Sequence, residues 1–296
     1  MSLANVTGTG TVSVPSGYTL TFSGSNLIPS TLTVSGTLSL ANNYTLITNL
    51  TNPTGTGSVL IGSGYTLTVS SNTTVSIPIG GSGTLSVASG YTLTVGGNAT
   101  YSVSTVSGAG TLSIASGYTL TIAGNSTFSV ATVNGAGTLT IPSGYTLTFS
   151  GSTLSPTTLT INGTLALSGN YTLATNIQNV PGNLVINSGY ILTVASNITL
   201  AYTSISGAGT LSISSGYTLT IGTNTTFSVI TVAGAGTLSI SSGYTLTQGA
   251  SITLSVSTVN IAGTWANAGY GITIPSGSTV TWNVTGSITT ASTAGT

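Results

Sequence analysis

The side chains that could carry covalent chemistry are asparagines in the N-glycosylation motif Asn-X-Ser/Thr. Five of the motifs begin seven residues after a tyrosine, where a strand is expected to end in a polar corner, and a surface corner can accept a glycan. Asparagine also suits turns, and threonine suits strands, so the pattern has a purely structural interpretation as well. We expect N-glycosylation at all eleven motifs, which are Asn5, Asn43, Asn49, Asn72, Asn98, Asn125, Asn162, Asn170, Asn197, Asn224 and Asn283.

The composition excludes most other chemistry. The chain has no Lys, Arg, Asp, Glu, His or Cys. Acid-base catalysis needs a group that titrates near working pH, and only tyrosine, with an ordinary pKa of about 10, and the chain termini remain. Metal sites need carboxylate, imidazole or thiolate ligands, and nucleic-acid binding needs cations. We therefore predict no enzyme, no catalytic residues, no metal, no cofactor and no nucleic-acid partner. No apolar run approaches the roughly 20 residues of a membrane span.

Tyrosine reveals an internal repeat of about 26–27 residues, a period typical of repeat architectures. Two shorter spacings, before Tyr65 and before Tyr190, are equivalent places about 126 residues apart, so a five-unit block is duplicated. We divide the chain into a first block, residues 1–140, a second block, residues 141–266, and a partial sixth unit with an end segment, residues 267–296. The eleven tyrosines in phase are Tyr18, Tyr44, Tyr65, Tyr91, Tyr118, Tyr145, Tyr171, Tyr190, Tyr217, Tyr244 and Tyr270.

Within each unit the hydrophobic period is two, which predicts half-buried β-strands. In the unit that begins at Gly108, the residues Leu112 and Ile114 alternate with Thr111 and Ser113. The Ser-Gly pair before eight of the eleven tyrosines predicts a turn in which glycine takes a positive φ. The recurring Gly-X-Gly, as at 108–110, predicts a tight corner rather than a phosphate loop, because no helix follows it.

Two all-β architectures fit these units. The first is a parallel β-solenoid of about 11 coils, each of 26–27 residues, in which equivalent residues stack about 4.8 Å apart. The second is a pair of tandem β-sandwich domains of about 126 residues. We favour the solenoid, because a sandwich needs different strands at its edges and centre, whereas these units are nearly identical.

Threonine and the aromatic residues offer possible binding surfaces. The Thr-X-Thr pairs, such as Thr119 and Thr121, are expected to form two columns on one flat solenoid face. That pattern resembles the ice-binding face of β-solenoid antifreeze proteins, although threonine is also simply suited to exposed strand positions. Tyrosines can stack on carbohydrate, but their shared parity with Leu120 and Ile122 predicts rings that pack inward. Trp265 and Trp282 are expected to cover an end or meet a neighbour.

The chain enters in the middle of a unit, since residues 6–11 match residues 232–237, and its last segment starts no new Gly-X-Gly corner. An open solenoid end exposes unpaired strand edges and apolar core. We therefore expect one subunit to be completed by the next, head to tail, in an open homopolymer.

The repeat style and the uncharged composition resemble the β-solenoid and β-rich repeat proteins of cell surfaces, such as adhesin stalks and the extracellular filament subunits of archaea. The resemblance implies a non-enzymatic structural subunit of an extracellular filament or surface coat, carrying N-glycans and located outside the cell or on its surface. The alternative is an ice-binding or carbohydrate-binding β-solenoid module.

Overall fold

Short β-strands make up the regular structure of this protein. The computed structural model describes residues 2–52, 54–173 and 182–290, and that part of the chain contains strands and turns but no helix. No helix that could cross a membrane is therefore found there. The chain divides into two compact units, Met1–Leu159 and Thr160–Thr296. The division into three sequence blocks stays a prediction.

The strands that begin in the first unit mostly alternate buried and outward residues, as the two-residue period predicts. They are β1 (Ser2–Val14), β2 (Thr19–Val34), β3 (Thr37–Leu40), β4 (Tyr44–Leu46), β5 (Leu50–Thr51), β6 (Ser58–Ile61), β7 (Thr66–Val69), β8 (Thr73–Val75), β9 (Ile79–Gly80), β10 (Thr84–Val87), β11 (Thr92–Val95), β12 (Ala99–Tyr101), β13 (Thr105–Ser107), β14 (Thr111–Ile114), β15 (Thr119–Ile122), β16 (Ser126–Phe128), β17 (Thr132–Ile141), β18 (Thr146–Phe149) and β19 (Thr153–Ile161).

The second unit repeats this plan, with some strands that run on through a corner and so contribute to more than one sheet. Its strands are β20 (Thr164–Leu167), β21 (Tyr171–Leu173), β22 (Asn183–Ile186), β23 (Ile191–Val194), β24 (Ile198–Leu200), β25 (Ser204–Ile213), β26 (Thr218–Ile221), β27 (Thr225–Ile240), β28 (Thr245–Gln248), β29 (Ile252–Ile261), β30 (Thr264–Ala266), β31 (Ile272–Thr273), β32 (Thr281–Val284) and β33 (Ser287–Thr289).

Each unit is a three-faced parallel β-solenoid. In the first unit, face 1 contains β8, β11 and β14, face 2 contains β3, β6, β9, β12 and β15, and face 3 contains β4, β7, β10, β13, β16 and β18. Every one of these pairs is parallel, so the solenoid prediction is confirmed and the sandwich, which needs antiparallel sheets, is wrong. The fold has about 13 turns rather than the 11 expected.

The turn is shorter than the sequence repeat, which explains the higher number of turns. Asn98 and Thr119, which form a hydrogen bond between adjacent turns, lie only 21 residues apart in the sequence. On face 3, the chain completes four turns between Thr66 and Thr148. Nearly the same stretch of sequence, from Tyr65 to Tyr145, contains only three repeats. Each repeat has four strand segments and each turn has three, so successive repeats begin on successive faces.

The short spacings before Tyr65 and Tyr190 arise because the preceding tyrosines, Tyr44 and Tyr171, lie at a different place in the turn. Tyr44 and Tyr171 do not follow the Ser-Gly turn, since they begin strands β4 and β21 and follow an asparagine. Tyr44 is buried and pairs with Leu67, a core residue. These two tyrosines are the first residues of strands that directly follow a motif asparagine, whereas Tyr65 lies in the turn before a strand.

The core of each unit consists of stacked apolar side chains, one from each turn. Face 3 contributes the column Leu67, Leu85, Val106, Phe128 and Phe149, in which each residue is fully or almost fully buried. Burying one such side chain contributes about 1.5–3 kcal/mol. A ladder of this kind recurs on every face, so the core runs through the turns without needing any charged residue.

Trp265 lies in the core of the second unit and does not cover an exposed end. It is fully buried in the column that continues from Leu246 to Ile288, and its indole Nε1 donates a hydrogen bond to Gln248 Oε1 at 3.2 Å. The Gln248 Nε2 in turn donates to the carbonyl oxygens of Ala250 and Gly271, both at 2.9 Å. Buried polar atoms are thus paired where the repeat departs from its usual apolar residues. The Trp282 ring lies 5.5 Å from that of Trp265, centre to centre.

The Gly-X-Gly corners are tight, as predicted, because the chain passes directly over the main chain of the previous turn. Gly135 has a φ of 112°, and a Cβ there would lie 2.2 Å from the carbonyl oxygen of Ile114. A Cβ on Gly137 would lie 2.5 Å from the Ala115 oxygen and 2.6 Å from the Tyr118 oxygen. Only glycine fits these positions without moving the backbone.

Two glycines of successive repeats should therefore respond differently to substitution. We expect Gly137→Ala to lower the free energy of unfolding by about 3 kcal/mol, because the new methyl group meets fixed backbone atoms. Gly117→Asn should cost about 1 kcal/mol or less, because asparagine tolerates its φ of 80° and a Cβ there meets nothing within 4 Å. Urea unfolding of both variants checks this expectation, and equal losses would contradict the corner geometry.

Tyr101 provides a second test of the core. Its ring is fully buried, its hydroxyl has no hydrogen-bond partner among the described residues, and burial raises its pKa above the ordinary value. Tyr101→Phe should raise the free energy of unfolding by about 1 kcal/mol, because it removes the unpaired hydroxyl and keeps the ring. Denaturant unfolding checks this, with Tyr118→Phe, whose ring is exposed, as the control.

The same substitution should change the response to alkali. Above about pH 10 the unfolded chain loses the Tyr101 proton while the folded chain keeps it, so stability should fall by about 1.4 kcal/mol per pH unit from this residue. Tyr101→Phe should lack that part of the loss. Below about pH 9 both proteins should show a nearly constant stability, and a marked change at acidic pH would contradict this.

Candidate functional site

The edges of the solenoid, where one face turns into the next, carry the asparagines that could be glycosylated and most of the exposed tyrosines. The turn Ala115-Ser116-Gly117-Tyr118 is an example of these edge turns. Its Tyr118 amide donates a hydrogen bond to the Ala115 oxygen at 3.2 Å, and Gly117 has a φ of 80°. A hydrogen bond between the first and fourth residues with a positive φ at the third is typical of a type II turn. The predicted glycine turn is confirmed before nine of the eleven tyrosines, all except Tyr44 and Tyr171.

The tyrosines that follow these turns lie at the surface, so the prediction of inward-packed rings is wrong. Eight of them have side chains that are 36–42% exposed, and Tyr18 is 70% exposed. The two-residue parity that links Tyr118 to Leu120 fails because the strand begins only at Thr119, and the turn directs the preceding residue outward. The eight are Tyr65, Tyr91, Tyr118, Tyr145, Tyr190, Tyr217, Tyr244 and Tyr270.

The asparagines of the glycosylation motifs lie at the same edges and hold neighbouring turns together. The Oδ1 of Asn98 accepts a hydrogen bond from the backbone amide of Thr119, one turn further along the chain, at 2.9 Å. Asn98 directly precedes β12, whose first residue Ala99 pairs with Leu120. The side-chain oxygen thus takes the place of a main-chain carbonyl at the point where the parallel ladder begins.

Seven motif asparagines make this bond to the residue directly after an exposed tyrosine, at 2.8–2.9 Å. We call them the Asn–Tyr edge pairs, each named by the asparagine and the tyrosine one turn later. The first unit contains Asn43/Tyr65, Asn72/Tyr91, Asn98/Tyr118 and Asn125/Tyr145, and the second contains Asn170/Tyr190, Asn197/Tyr217 and Asn224/Tyr244.

The other four motifs lie in different surroundings. Asn49 Oδ1 accepts from the amide of Thr74 at 2.8 Å, but a threonine rather than a tyrosine precedes that amide. Asn283 Nδ2 donates to Asn260 Oδ1 at 2.8 Å. Asn162 is exposed after β19, and Asn5 lies in β1, where its side chain is outside the described set. All ten motif asparagines whose side chains are described are exposed.

Sequence reasoning identified the asparagines but not the tyrosine that lies one turn later in seven of these motifs. In five of the edge pairs the asparagine and the residue whose amide donates to it lie 21 residues apart in the sequence. The interval is 20 in Asn72/Tyr91 and 23 in Asn43/Tyr65. This nearly constant interval is the signal that could have revealed the pairs. It was hidden because we took the turn to be as long as the repeat.

The expected pair of threonine columns on one flat face is wrong. The Thr-X-Thr strands β11, β15 and β18 lie on faces 1, 2 and 3 in succession. Each face nevertheless carries outward hydroxyls at nearly every turn, because other strand segments supply the intervening threonines and serines. The clearest column consists of five threonines on face 3, which are Thr66, Thr84, Thr105, Thr127 and Thr148.

Two surface grooves lie among the described residues of the first unit. One groove of about 310 Å³ is lined by Val12, Val14, Tyr18 and their neighbours, and another of about 460 Å³ is lined by Thr31, Asn49 and neighbouring residues. Apart from Tyr18, none of the residues that line these grooves has a titratable side chain.

Comparison with family models, with characterised proteins and with solved structures finds no significant match to this chain.

The role of the edge asparagine in the ladder can be tested without any glycan. Asn98→Ala should lower the free energy of unfolding by about 0.5–1.5 kcal/mol and speed hydrogen exchange at the Thr119 amide, which loses its acceptor. Asn98→Asp keeps an oxygen in place and should preserve protection of that amide. Urea unfolding and amide exchange on unglycosylated protein check both variants. An unchanged exchange rate at Thr119 in Asn98→Ala would show that the bond does not form.

Proposed function

We propose that this protein is a non-enzymatic structural subunit of an extracellular filament or surface coat. Its subunits join head to tail by continuing their parallel sheets, and N-glycans cover its edges. The proposal is supported by the uniform construction of both units, in which every turn presents hydroxyls outward and apolar side chains inward. A stack of similar turns provides length and stiffness rather than a concave site for a small substrate.

The observation that carries the assembly proposal is the open edge of the last described turn. Strand β32 pairs with β29, and β33 pairs with β30, but in residues 2–52, 54–173 and 182–290 no further strand pairs with either. Val284 and Ile288 are 45% and 48% exposed, although they continue the columns of the buried Ile261 and Trp265. Unpaired strand edges above an apolar core favour the addition of another strand.

Strand β1 offers the complementary edge. It pairs with β2 in parallel through Val14, and the described residues contain no second partner for it. A β1 of one subunit that pairs with β32 or β33 of the next would continue the sheets with the same parallel register. Such a contact is heterologous, and it generates an open filament when the rotation between successive subunits does not close a ring.

The absence of charge makes glycosylation part of the same proposal. Charged residues normally protect exposed β-structure against edge-to-edge and face-to-face association, and this chain has none. Glycans on exposed asparagines at the edges would supply the missing hydrophilic cover. The exposure of all ten described motif asparagines is compatible with this role.

Electron microscopy of native material tests the assembly. We expect filaments for the full chain, and we expect dispersed particles with unchanged β-structure by circular dichroism after deletion of residues 1–10, which removes most of β1. Ser116→Ala, in a turn away from both edges, is the control and should still form filaments. Filaments of the deleted protein would show that β1 does not join the subunits.

The alternative of a binding module is favoured by one observation, the column of threonines on face 3. Regularly spaced hydroxyls and methyl groups could match an ordered surface such as ice or a crystalline polysaccharide. Dispersed, unmodified particles that inhibit ice recrystallisation would favour this alternative over the filament. Filaments that carry glycans and lack such inhibition would favour the structural subunit.

A further inference from the structure

The Asn–Tyr edge pairs place two features at one edge that the assembly proposal does not explain. One is an asparagine that is exposed and held in position, and the other is a tyrosine, one turn later, that is 36–40% exposed. In Asn98/Tyr118 the two are linked through a single residue, since Thr119 donates to Asn98 Oδ1 and directly follows Tyr118. The same link occurs in the six other pairs.

The hydrogen bond leaves the glycosylation atom available. The ladder uses Oδ1, whereas a glycan is attached to Nδ2, and in the described part of the chain no hydrogen bond occupies the Nδ2 of Asn98 or of the other six edge-pair asparagines. The amide is planar, so fixing Oδ1 restricts the direction in which Nδ2 points. A sugar attached to Nδ2 would start from the same edge that carries the exposed tyrosine.

We propose that each edge-pair tyrosine is the stacking platform for the first sugar of a glycan on the asparagine one turn earlier. The inference rests on the proposed N-glycosylation and specifies how the glycan is held. A pyranose has an apolar face of C–H groups, and an exposed aromatic ring with a negative face offers a matching surface. The tyrosine hydroxyl can stay in water while the ring is covered.

The attachment itself requires a sugar donor, which we take to be a lipid-linked sugar diphosphate. In the transfer, the bond between the anomeric carbon and the diphosphate oxygen breaks, and a bond from that carbon to the asparagine Nδ2 forms. The Nδ2 releases one proton, and the lipid diphosphate leaves with the electron pair of the broken bond. The Oδ1 hydrogen bond to the next turn is compatible with the product, because the carbonyl oxygen is unchanged.

The chain contains its own comparison sites. Asn49 makes the same hydrogen bond at 2.8 Å, but its partner Thr74 follows a threonine, so a glycan there would have no such platform. At Tyr270 the situation is reversed, because the amide of Gly271 donates to Ser251 Oγ at 3.3 Å and no asparagine is present. Asn49 is therefore a glycosylation motif that has the hydrogen bond to the next turn but no neighbouring tyrosine. Tyr270 is an exposed tyrosine without a glycosylation motif one turn earlier.

The test uses full-length protein secreted by a host that attaches N-glycans beginning with N-acetylglucosamine. Site-resolved mass spectrometry first gives the occupancy of Asn98 and Asn49. An amidase that releases N-glycans is then applied to the folded protein, and the release rate is measured at each site in wild type, Tyr118→Ala and Tyr118→Phe. We expect release at Asn98 to be about 2- to 12-fold faster in Tyr118→Ala, the range that corresponds to an aromatic contact. Tyr118→Phe should match wild type, and release at Asn49 should be the same in all three.

A direct measurement protects the test against a variant that folds poorly. Nuclear Overhauser contacts between C–H protons of the sugar on Asn98 and ring protons of Tyr118 are expected in wild type and Tyr118→Phe. If Asn98 is occupied but shows neither these contacts nor a change in release, the platform is overturned while the glycoprotein proposal stands. If none of the seven asparagines carries a glycan in native or secreted protein, both are overturned. The filament is tested independently by the microscopy above.

Discussion

The constraint on which the structure depends is the fixed spacing of parallel strands, about 4.8 Å, combined with a turn that does not match the repeat. Three strand segments complete a turn, but four segments complete a repeat. Each segment therefore stacks on a segment of another kind, as Leu85 of one segment stacks on Val106 of the next. Such stacking works only if all four kinds are interchangeable. The uniform pattern of outward threonine and inward aliphatic residues follows from this requirement, without any need for one specialised face.

The same constraint helps to explain the uncharged composition. An outward residue lies directly between its counterparts in the turns before and after it, as Thr105 lies between Thr84 and Thr127. Like charges directly opposite one another on neighbouring strands are destabilising. Because successive repeats begin on successive faces, a charged residue at one position of the repeat would occur on all three faces. Hydroxyl and amide groups avoid this repulsion and can pair across turns, as Asn98 does. The solenoid thus tolerates neutral polar residues at positions where a repeated charge would oppose stacking.

Sequence patterns predicted the local structure well because local structure depends on neighbouring residues. The alternation of Leu112 and Ile114 with threonine and serine predicted strands, and the glycine turn at Gly117 and the tight corner at Gly135 are as expected. The length of the turn could not be read in the same way, because it depends on which strands pair. The string Tyr-Thr-Leu occurs both after the Ser-Gly turn and at Tyr44, so the sequence alone does not show which of its copies lie at the same place in a turn.

For the candidate site, too, the sequence predicted the local features but not the contacts between turns. The motif asparagines could be named from the sequence, but their partners could not, since the contact from Asn98 to Thr119 exists only in the register of adjacent turns. That register also has a functional consequence for the proposed coat. Because each repeat advances by one face, Tyr91, Tyr118 and Tyr145 directly precede strands on faces 1, 2 and 3 in turn. Glycans held at these edge pairs would project from all three edges of the unit. They would hinder face-to-face association on every side while leaving the strand edges at the ends free to pair, which is the selectivity that an uncharged head-to-tail filament requires.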